Sequence, residues 1–355
     1  MSTVPPDLYG RGHADRMYRF LDRAVARYAR WARASARGRP PVEEVRRDLD
    51  VVVDEVRQEA EDVVSLRLVA AGGRPLPGWQ PGAHLDLELP SGRKRQYSLC
   101  GDPADRGSYR IAVRRIADGN GGSVEVHEAL GQRTAVTVRG PRNAFPFITA
   151  ERYLFVAGGI GITAILPMVR LAAARGADWR LVYAGRSRAS MPFLGEIAEL
   201  DQQRVSIRSD EEHGIPVSGA ELLEQAPEQA VVYCCGPVPM ITGVRLDLPA
   251  SRADSLHFER FSPPPVVGGR PFRVDLTRRG VSLRVPADRS ALSVIREHAP
   301  DVPYSCQQGF CGTCEVRVVS GSVDHRDALL TEEERRDRMM ICVSRAAGDH
   351  VELDL

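Results

Sequence analysis

The sequence predicts a multidomain chain: an antiparallel β-barrel, an α/β domain with a parallel sheet, and a small α+β domain, behind an N-terminal helical extension. Three observations carry this. Residues 45–147 alternate apolar and polar positions between Gly and Pro turns, residues 148–262 alternate apolar strands with helices, and four cysteines gather near the C-terminus. At 355 residues the chain is too long for one ordinary core. Its 43% hydrophobic and 27% charged content is that of a globular protein. No apolar run reaches membrane-spanning length and the N-terminus lacks an apolar signal core, so the expected compartment is the cytoplasm.

The first segment, 1–44, is distinct. Met17, Phe20, Leu21, Ala24, Tyr28 and Trp31 recur at helical spacing beside a basic stripe of Arg16, Arg19, Arg23, Arg27 and Arg30. A net charge of +1 conceals nine arginines against three aspartates in residues 1–40. An amphipathic helix of this kind packs on its own protein, docks on a partner, or lies on an anionic membrane surface. It stops at Gly38 and Pro40–Pro41.

From 45 to 147, DLDVVVDEVR, VVSLRLVA, AHLDLELP, YRIAVRRI and TAVTVRG read as short antiparallel strands, with one brief helix near 124–130. Within them Arg95-Gln96-Tyr97-Ser98 offers a phosphate fork, a stacking ring and a hydroxyl donor. An ordinary strand would look much the same. Asn120-Gly121-Gly122-Ser123 opens the short helix as a phosphate nest or a capped turn.

From 148 to 262, strand YLFVAG runs into Gly158-Gly159-Ile160-Gly161-Ile162-Thr163 and a helix through 164–174. Glycine lets backbone approach a phosphate, and a helix start offers unpaired N–H groups to an anion. WRLVYAG, VSIRSD and VVYCCGP are further strands, the last ending in a Gly-Pro turn where ligands of open α/β sheets bind. SPPPVVGGRP (262–271) is a Pro/Gly stretch whose residues 263–271 are the expected linker. Segment 272–355 opens with paired strands FRVDLTRRG and VSLRVPA, then a helix near 290–298.

The cysteine loop follows. Cys306, Cys311 and Cys314 are spaced C-x4-C-x2-C, with Cys342 distant, the ligand pattern of a plant-type [2Fe–2S] cluster. Gly309 and Gly312 supply the curl that three converging thiolates require. A four-cysteine zinc site pairs two CxxC knuckles, and one alone is present. A disulfide framework does not suit a large chain without a signal peptide. The chain therefore passes electrons.

With these motifs in order, the chain resembles the phthalate dioxygenase reductase family, which includes the vanillate O-demethylase reductases. The likeness spans about 45–355 as flavin barrel, nicotinamide domain and C-terminal ferredoxin. RQYSL and GNGGS resemble the family's flavin motifs, GGIGIT and YCCGP its nicotinamide motifs, and HFERF (257–261) the segment closing over the flavin. The resemblance implies FMN, NADH (with NADPH as the rival coenzyme) and the [2Fe–2S] cluster as cofactors. It places Arg95, Arg114, Gly121, Gly122 and Ser123 toward the flavin phosphate, and Gln96, Ala112 and Val113 along the flavin. Tyr97 would stack on the ring, Ser98 would lie near its N5, Thr163 would meet it, and Phe258 or Phe261 would cover it. Gly158, Gly159, Gly161, Arg186, Ser187, Gly236, Pro237 and Met240 fall to the nicotinamide nucleotide, with Cys235 near its reactive carbon. Tyr97, Ser98 and Cys235 are thus the catalytic candidates.

The implied activity is that of a reductase moving electrons from NAD(P)H through FMN and the cluster to a separate protein. That acceptor is a Rieske-type oxygenase or demethylase, with a haem-thiolate monooxygenase as rival. A non-catalytic iron–sulfur or zinc module and a stand-alone flavin reductase are the alternatives. Two features depart from the family: Ala164 stands where proline is common, and residues 1–40 have no counterpart. Outside the motifs, His84 and His127 read as packed histidines, Cys100 and Cys234 as small buried residues, and Thr331 as the cap of a solvated helix.

Overall fold

The computed structural model describes residues 48–117, 119, 121–261, 265–304, 307–310 and 312–355, together with 20, 21, 23–25, 27 and 28. The last group is helical. Most of the expected basic helix, Asn120, part of the linker, and two of the four cysteines, Cys306 and Cys311, lie outside the described residues.

The barrel is a six-stranded antiparallel sheet of β1 (Asp48–Ala60), β2 (Val63–Ala70), β3 (Ala83–Glu88), β4 (Lys94–Ser98), β5 (Ser108–Arg114) and β6 (Ala135–Asn143). The spatial order is β4-β3-β6-β1-β2-β5, and a bridge between Leu99 and Ile111 links the two ends. The alternation read from the sequence becomes an inner face of Val51, Val53, Leu66, Leu68, Leu85, Leu87, Ile111 and Val138, all buried. Helix α1 (Gly122–Ala129) begins two residues earlier than expected.

A parallel five-stranded sheet follows, ordered β11-β10-β7-β8-β9. Its strands are β7 (Arg152–Gly158), β8 (Asp178–Gly185), β9 (Val205–Ser209), β10 (Val231–Cys235) and β11 (Ser255–Glu259). Helix α2 (Ile162–Ala174) follows β7 directly, with Ala164 buried inside its first turn. The remaining helices here are α3 (Leu194–Ala198), α4 (Asp210–His213), α5 (Gly219–Leu223) and α6 (Val238–Asp247). The inner strands β7 and β10 are nearly all apolar because both their faces are covered.

The third sheet, β13-β12-β16-β14-β15, comprises β12 (Phe272–Leu276), β13 (Val281–Val285), β14 (Glu315–Asp324), β15 (Arg338–Met340) and β16 (Arg345–Leu353). Helix α7 (Ala291–His298) packs its Leu292 and Ile295 into this core, and Ser290 caps it through the Ser293 N–H. Thr331 does pair with Glu334, but it leads into a single 3-10 turn, Glu334–Arg336, rather than a helix. Strands β14 and β16 escape the sequence reading, since their exposed stretches break the period of two.

The barrel and the parallel sheet share one apolar core. Val63, Cys100, Ala112 and Phe145 from the barrel pack with Tyr153, Phe155, Met168 and Tyr233. A half-buried ionic knot seals the edge: Arg110 Nη1 donates to Glu196 Oε1 at 2.7 Å, Arg170 pairs with the other oxygen, and the Arg110 guanidinium lies over Phe193. Gly82 sits at this seam with φ +90°, and a Cβ there would fall 1.8 Å from the Phe145 carbonyl oxygen. Gly82→Ala is expected to destabilise the protein by about 3 kcal/mol, because left-handed backbone strain and a backbone clash add. Chemical denaturation of the variant checks this.

Candidate functional site

The three sheets meet at one cleft of about 370 Å³. The barrel supplies Arg95, Gln96, Tyr97 and Ser98 from β4, and Ala112, Val113 and Arg114 from β5. Gly122 and Ser123 come from the start of α1, and Thr163 from the start of α2. Glu259, Arg260 and Phe261 close one side, and Tyr304, Gln307, Gln308 and Phe310 of the cysteine-bearing domain close the other. Thus eleven of the residues that the motifs assign to the flavin line a single surface, which no one segment of sequence displays.

The local chemistry explains their placement. Ser98 pairs across β3 with His84, which is buried as expected but also borders the cleft. Gln96 Nε2 lies 3.0 Å from His84 Nε2 and donates to Asp86 Oδ1 at 3.0 Å, so its amide is held by β3. Burial pushes the Tyr97 phenol far above its ordinary range, against the opposing Arg95 charge, which keeps it a neutral ring. Gly122 exists to admit Arg95: a Cβ there would lie 2.3 Å from Arg95 Nε. Ser123 Oγ accepts from the Ile116 N–H at 3.0 Å, pinning the start of α1 to the barrel, and His127 meets the Val113 carbonyl at 2.9 Å.

Two motif residues sit apart from the expectation. Arg114 lines the cleft but its Nη2 donates to the Ser190 carbonyl at 2.7 Å, near Gly159, so it braces the parallel-sheet domain rather than sharing the Arg95 end. Phe258 lines an adjoining cavity instead, with the guanidinium groups of Arg245 and Arg260 at 5.5 and 5.4 Å from its ring; of the two candidates, Phe261 is the one in the cleft. Gly121 adopts the left-handed conformation before α1 but is not part of the lining.

The glycine-rich turn and the Gly-Pro turn interlock. A Cβ at Gly158 would strike Pro237 Cδ at 2.6 Å and Met240 Cε at 2.8 Å; one at Gly161 would lie 2.2 Å from the Cys235 carbonyl oxygen. A Cβ at Gly236 would meet Met240 Sδ at 2.7 Å. Thr163 Oγ1 donates to the Ile160 carbonyl at 2.9 Å, shaping the start of α2. These residues form one tight floor at the carboxyl ends of β7 and β10. Arg186 and Ser187 lie instead after β8, where Ser187 caps a short turn.

Cys235 and Glu259 stand opposite each other on β10 and β11. Burial pushes the Cys235 thiol well up, with the Glu259 charge adding. Glu259 is the functional candidate that the sequence reading missed. Its carboxyl is pushed up to about 8 by burial, and its Oε2 is buried with no hydrogen-bond partner among the described residues. In HFERF it looks like a surface charge; only the register of β11 turns it inward. Tyr304 and Gln308 were also missed, since they lie among the cysteines.

The iron–sulfur ligand set is half described. Cys314 immediately precedes β14 and Cys342 follows β15, and the pairing of Glu315 with Met340 in that antiparallel ladder brings both buried thiols to the same end. Gly309 and Gly312 are both left-handed, at φ +79°. A side chain at Gly309 would strike Val343 Cγ2 at 2.6 Å. Gln308 Nε2 donates to the Arg260 carbonyl at 2.8 Å, joining this loop to the cleft.

The donor sets fit the implied groups. A flat aromatic ligand with an anionic tail matches Tyr97 and Phe261 at one end and Lys94 with Arg95 at the other. Buried, adjacent thiols on a tightly curled loop match an iron–sulfur cluster.

A fold that unites a flavin-type barrel, a parallel nucleotide-type sheet and a cysteine loop at one cleft defines an iron–sulfur reductase class. Residues 274–347 match the family model described as the 2Fe-2S iron-sulfur cluster binding domain. The chain is 38% identical to the phthalate dioxygenase reductase of Burkholderia cepacia over 303 residues, 83% of this chain and 94% of that protein. It is 40% identical to the reductase subunit of the toluene-4-sulfonate monooxygenase system of Comamonas testosteroni over 316 residues, 87% and 99% of the two. A solved structure of phthalate dioxygenase reductase, described as modular for electron transfer from pyridine nucleotides to [2Fe-2S], superposes with TM-score 0.67. That pair is 37% identical, over 87% of this chain and 98% of that one. The chain belongs to the phthalate dioxygenase reductase family.

Two outcomes follow from the site. Gly122→Ala displaces Arg95 and is expected to weaken FMN binding by about tenfold, the value of one charge-assisted hydrogen bond; titration of flavin-stripped protein measures it. Glu259 binds its proton up to about pH 8 in the folded state but only up to about 4.5 unfolded, so its burial makes stability fall as pH rises across that window. Glu259→Gln is expected to remove this contribution, flattening urea-denaturation stability between about pH 4.5 and 8. An unchanged slope would mean that Glu259 titrates normally.

Proposed function

We propose that this chain is the reductase component of an oxygenase system, drawing electrons from NADH and delivering them to a separate oxygenase protein. The observation that carries this is the shared cleft: Tyr97 and Ser98 of the barrel face the same space as Gln307, Gln308 and Phe310 of the cysteine loop. No further carrier need stand between a ring bound there and the cluster. When bound, FMN supplies the change from paired to single electrons, and the [2Fe–2S] cluster supplies a one-electron carrier.

The residues do the positioning. In this reading Arg95, with Gly122 and Ser123, holds the flavin phosphate, while Tyr97 and Phe261 hold the ring between aromatic faces. Thr163, Cys235 and Glu259 border the place where a nicotinamide ring meets it. Gly158, Gly159, Gly161, Gly236, Pro237 and Met240 form the floor under that nucleotide. Cys314 and Cys342, with Cys306 and Cys311, hold the cluster. The domain limits fall at 45–147 for FMN, 148–262 for the nicotinamide nucleotide and 272–355 for the ferredoxin, with 263–271 as linker. The cytoplasm is the proposed compartment, where thiols stay reduced.

NADH is favoured over NADPH by the surroundings of the two arginines after β8. Arg188 Nε donates to Glu212 Oε1 at 2.5 Å, and the Arg186 carbonyl accepts from the Glu211 N–H. Helix α4 thus sets Asp210, Glu211 and Glu212 beside the pair, an unwelcoming environment for a 2′-phosphate.

Anaerobic titration tests the whole reading. NADH is expected to bleach flavin and iron–sulfur absorbance together, taking up about three electrons per chain, with NADPH effective only at much higher concentration. Bleaching of flavin alone would leave a stand-alone flavin reductase. A protein colourless after reconstitution would leave a non-catalytic module.

A further inference from the structure

Tyr304 belongs to the cysteine-bearing domain, yet its hydroxyl reaches β4 at the edge of the barrel. It accepts a hydrogen bond from Arg95 Nη1 at 2.6 Å and donates to the Lys94 carbonyl at 3.4 Å. These are the hydrogen bonds that the described residues place between the barrel and the third domain, and both converge on this one oxygen. The ring is held from behind: the Arg296 guanidinium of α7 lies 3.8 Å from its centroid, and Arg296 is tied in turn to the Pro300 carbonyl. Arg95 meanwhile packs against Gly122 on the other side. A flexible arginine is therefore clamped from two domains at once.

We propose that Tyr304 is a positioning residue for the flavin phosphate, fixing the Arg95 fork from the third domain so that FMN binding and seating of that domain are one coupled equilibrium. This rests on the reading of Arg95 as the phosphate ligand. The physical reason is entropic and reciprocal. A long arginine side chain loses rotamer freedom when it grips an anion, and Tyr304 has already removed that freedom when the domain is seated. By linkage, a phosphate that requires Arg95 in this rotamer stabilises the seated domain by the same factor. The cluster then stands beside the cleft preferentially when a flavin is there to reduce it. The device needs no moving lid, only one phenolic oxygen shared between two domains.

The experiment uses full-length, flavin-stripped protein and compares FMN with riboflavin, which has the ring but no phosphate. Tyr304→Phe keeps the ring over Arg296 and removes only the hydroxyl. The expected result is FMN affinity lower by about tenfold, the lower value of one hydrogen bond to a charged group, with riboflavin affinity unchanged. With both cofactors restored at saturating FMN, stopped-flow absorbance should show unaltered flavin reduction and slower bleaching of the cluster. Equal weakening of FMN and riboflavin would make Tyr304 a merely structural residue and overturn the proposal, as would an unchanged FMN affinity. Arg95→Met separates the two levels. If that variant binds FMN as tightly as wild type, the phosphate reading is itself wrong and the coupling falls with it. If it weakens FMN while Tyr304→Phe does not, only the coupling fails.

Discussion

The site depends on one constraint: the barrel and the parallel sheet cannot be separated without exposing a common core. Phe145 and Phe147, at the end of the barrel, pack in tilted and edge-on contacts among Tyr153, Phe155 and Tyr233, with ring centroids 4.9–6.1 Å apart for the Phe147 contacts. The hydroxyls of Tyr153 and Tyr233 are spent on the connecting segment, accepting from or donating to the backbone of residues 146–150. Aromatic burial supplies the area and these bonds supply the angle. With that angle fixed, the β4 edge of the barrel and the carboxyl ends of β7 and β10 must face each other across the cleft.

The third domain is attached on different terms. Its joint to the linker is a buried arginine rather than an apolar core. Arg345, 2% exposed, donates to the carbonyls of Arg270, Pro286 and Arg289 at 2.6–2.9 Å and stacks on Phe272. Arg326 adds a bond to the Val267 carbonyl. A charge that is buried among three carbonyls is satisfied in one geometry only, so it sets direction more than it adds stability. Polar joints of this kind, with Gln308 on Arg260 and Tyr304 on Arg95, aim the cysteine loop at the cleft while burying little apolar surface between domains.

Charge is arranged around the cleft with the same economy. Basic groups, Lys94 and Arg95, cluster at one end of the cleft. Elsewhere in the lining, Glu259 is pushed toward its neutral form by burial, as is Cys235, which lies beside it on β10 outside the cleft. Arg114 is turned to bracing Ser190.

The sequence by itself determined a great deal. Period-two alternation marked β1, β2, β3 and β5, apolar runs marked the parallel strands, and cysteine spacing marked the cluster, because each is a local pattern enforced by backbone geometry or by ligand reach. It also named eleven residues of the cleft, since RQYSL, GNGGS and GGIGIT are short segments whose chemistry is complete within a few residues. What it could not give was relation between segments. Whether Phe258 or Phe261 entered the cleft depended on the position at which β11 ends. Glu259 became a buried carboxyl only through its pairing with Cys235. Arg95 and Tyr304 are 209 residues apart, and no period or spacing links them. Such contacts are settled by how whole sheets pack, and packing is a property of three dimensions that a local pattern does not carry.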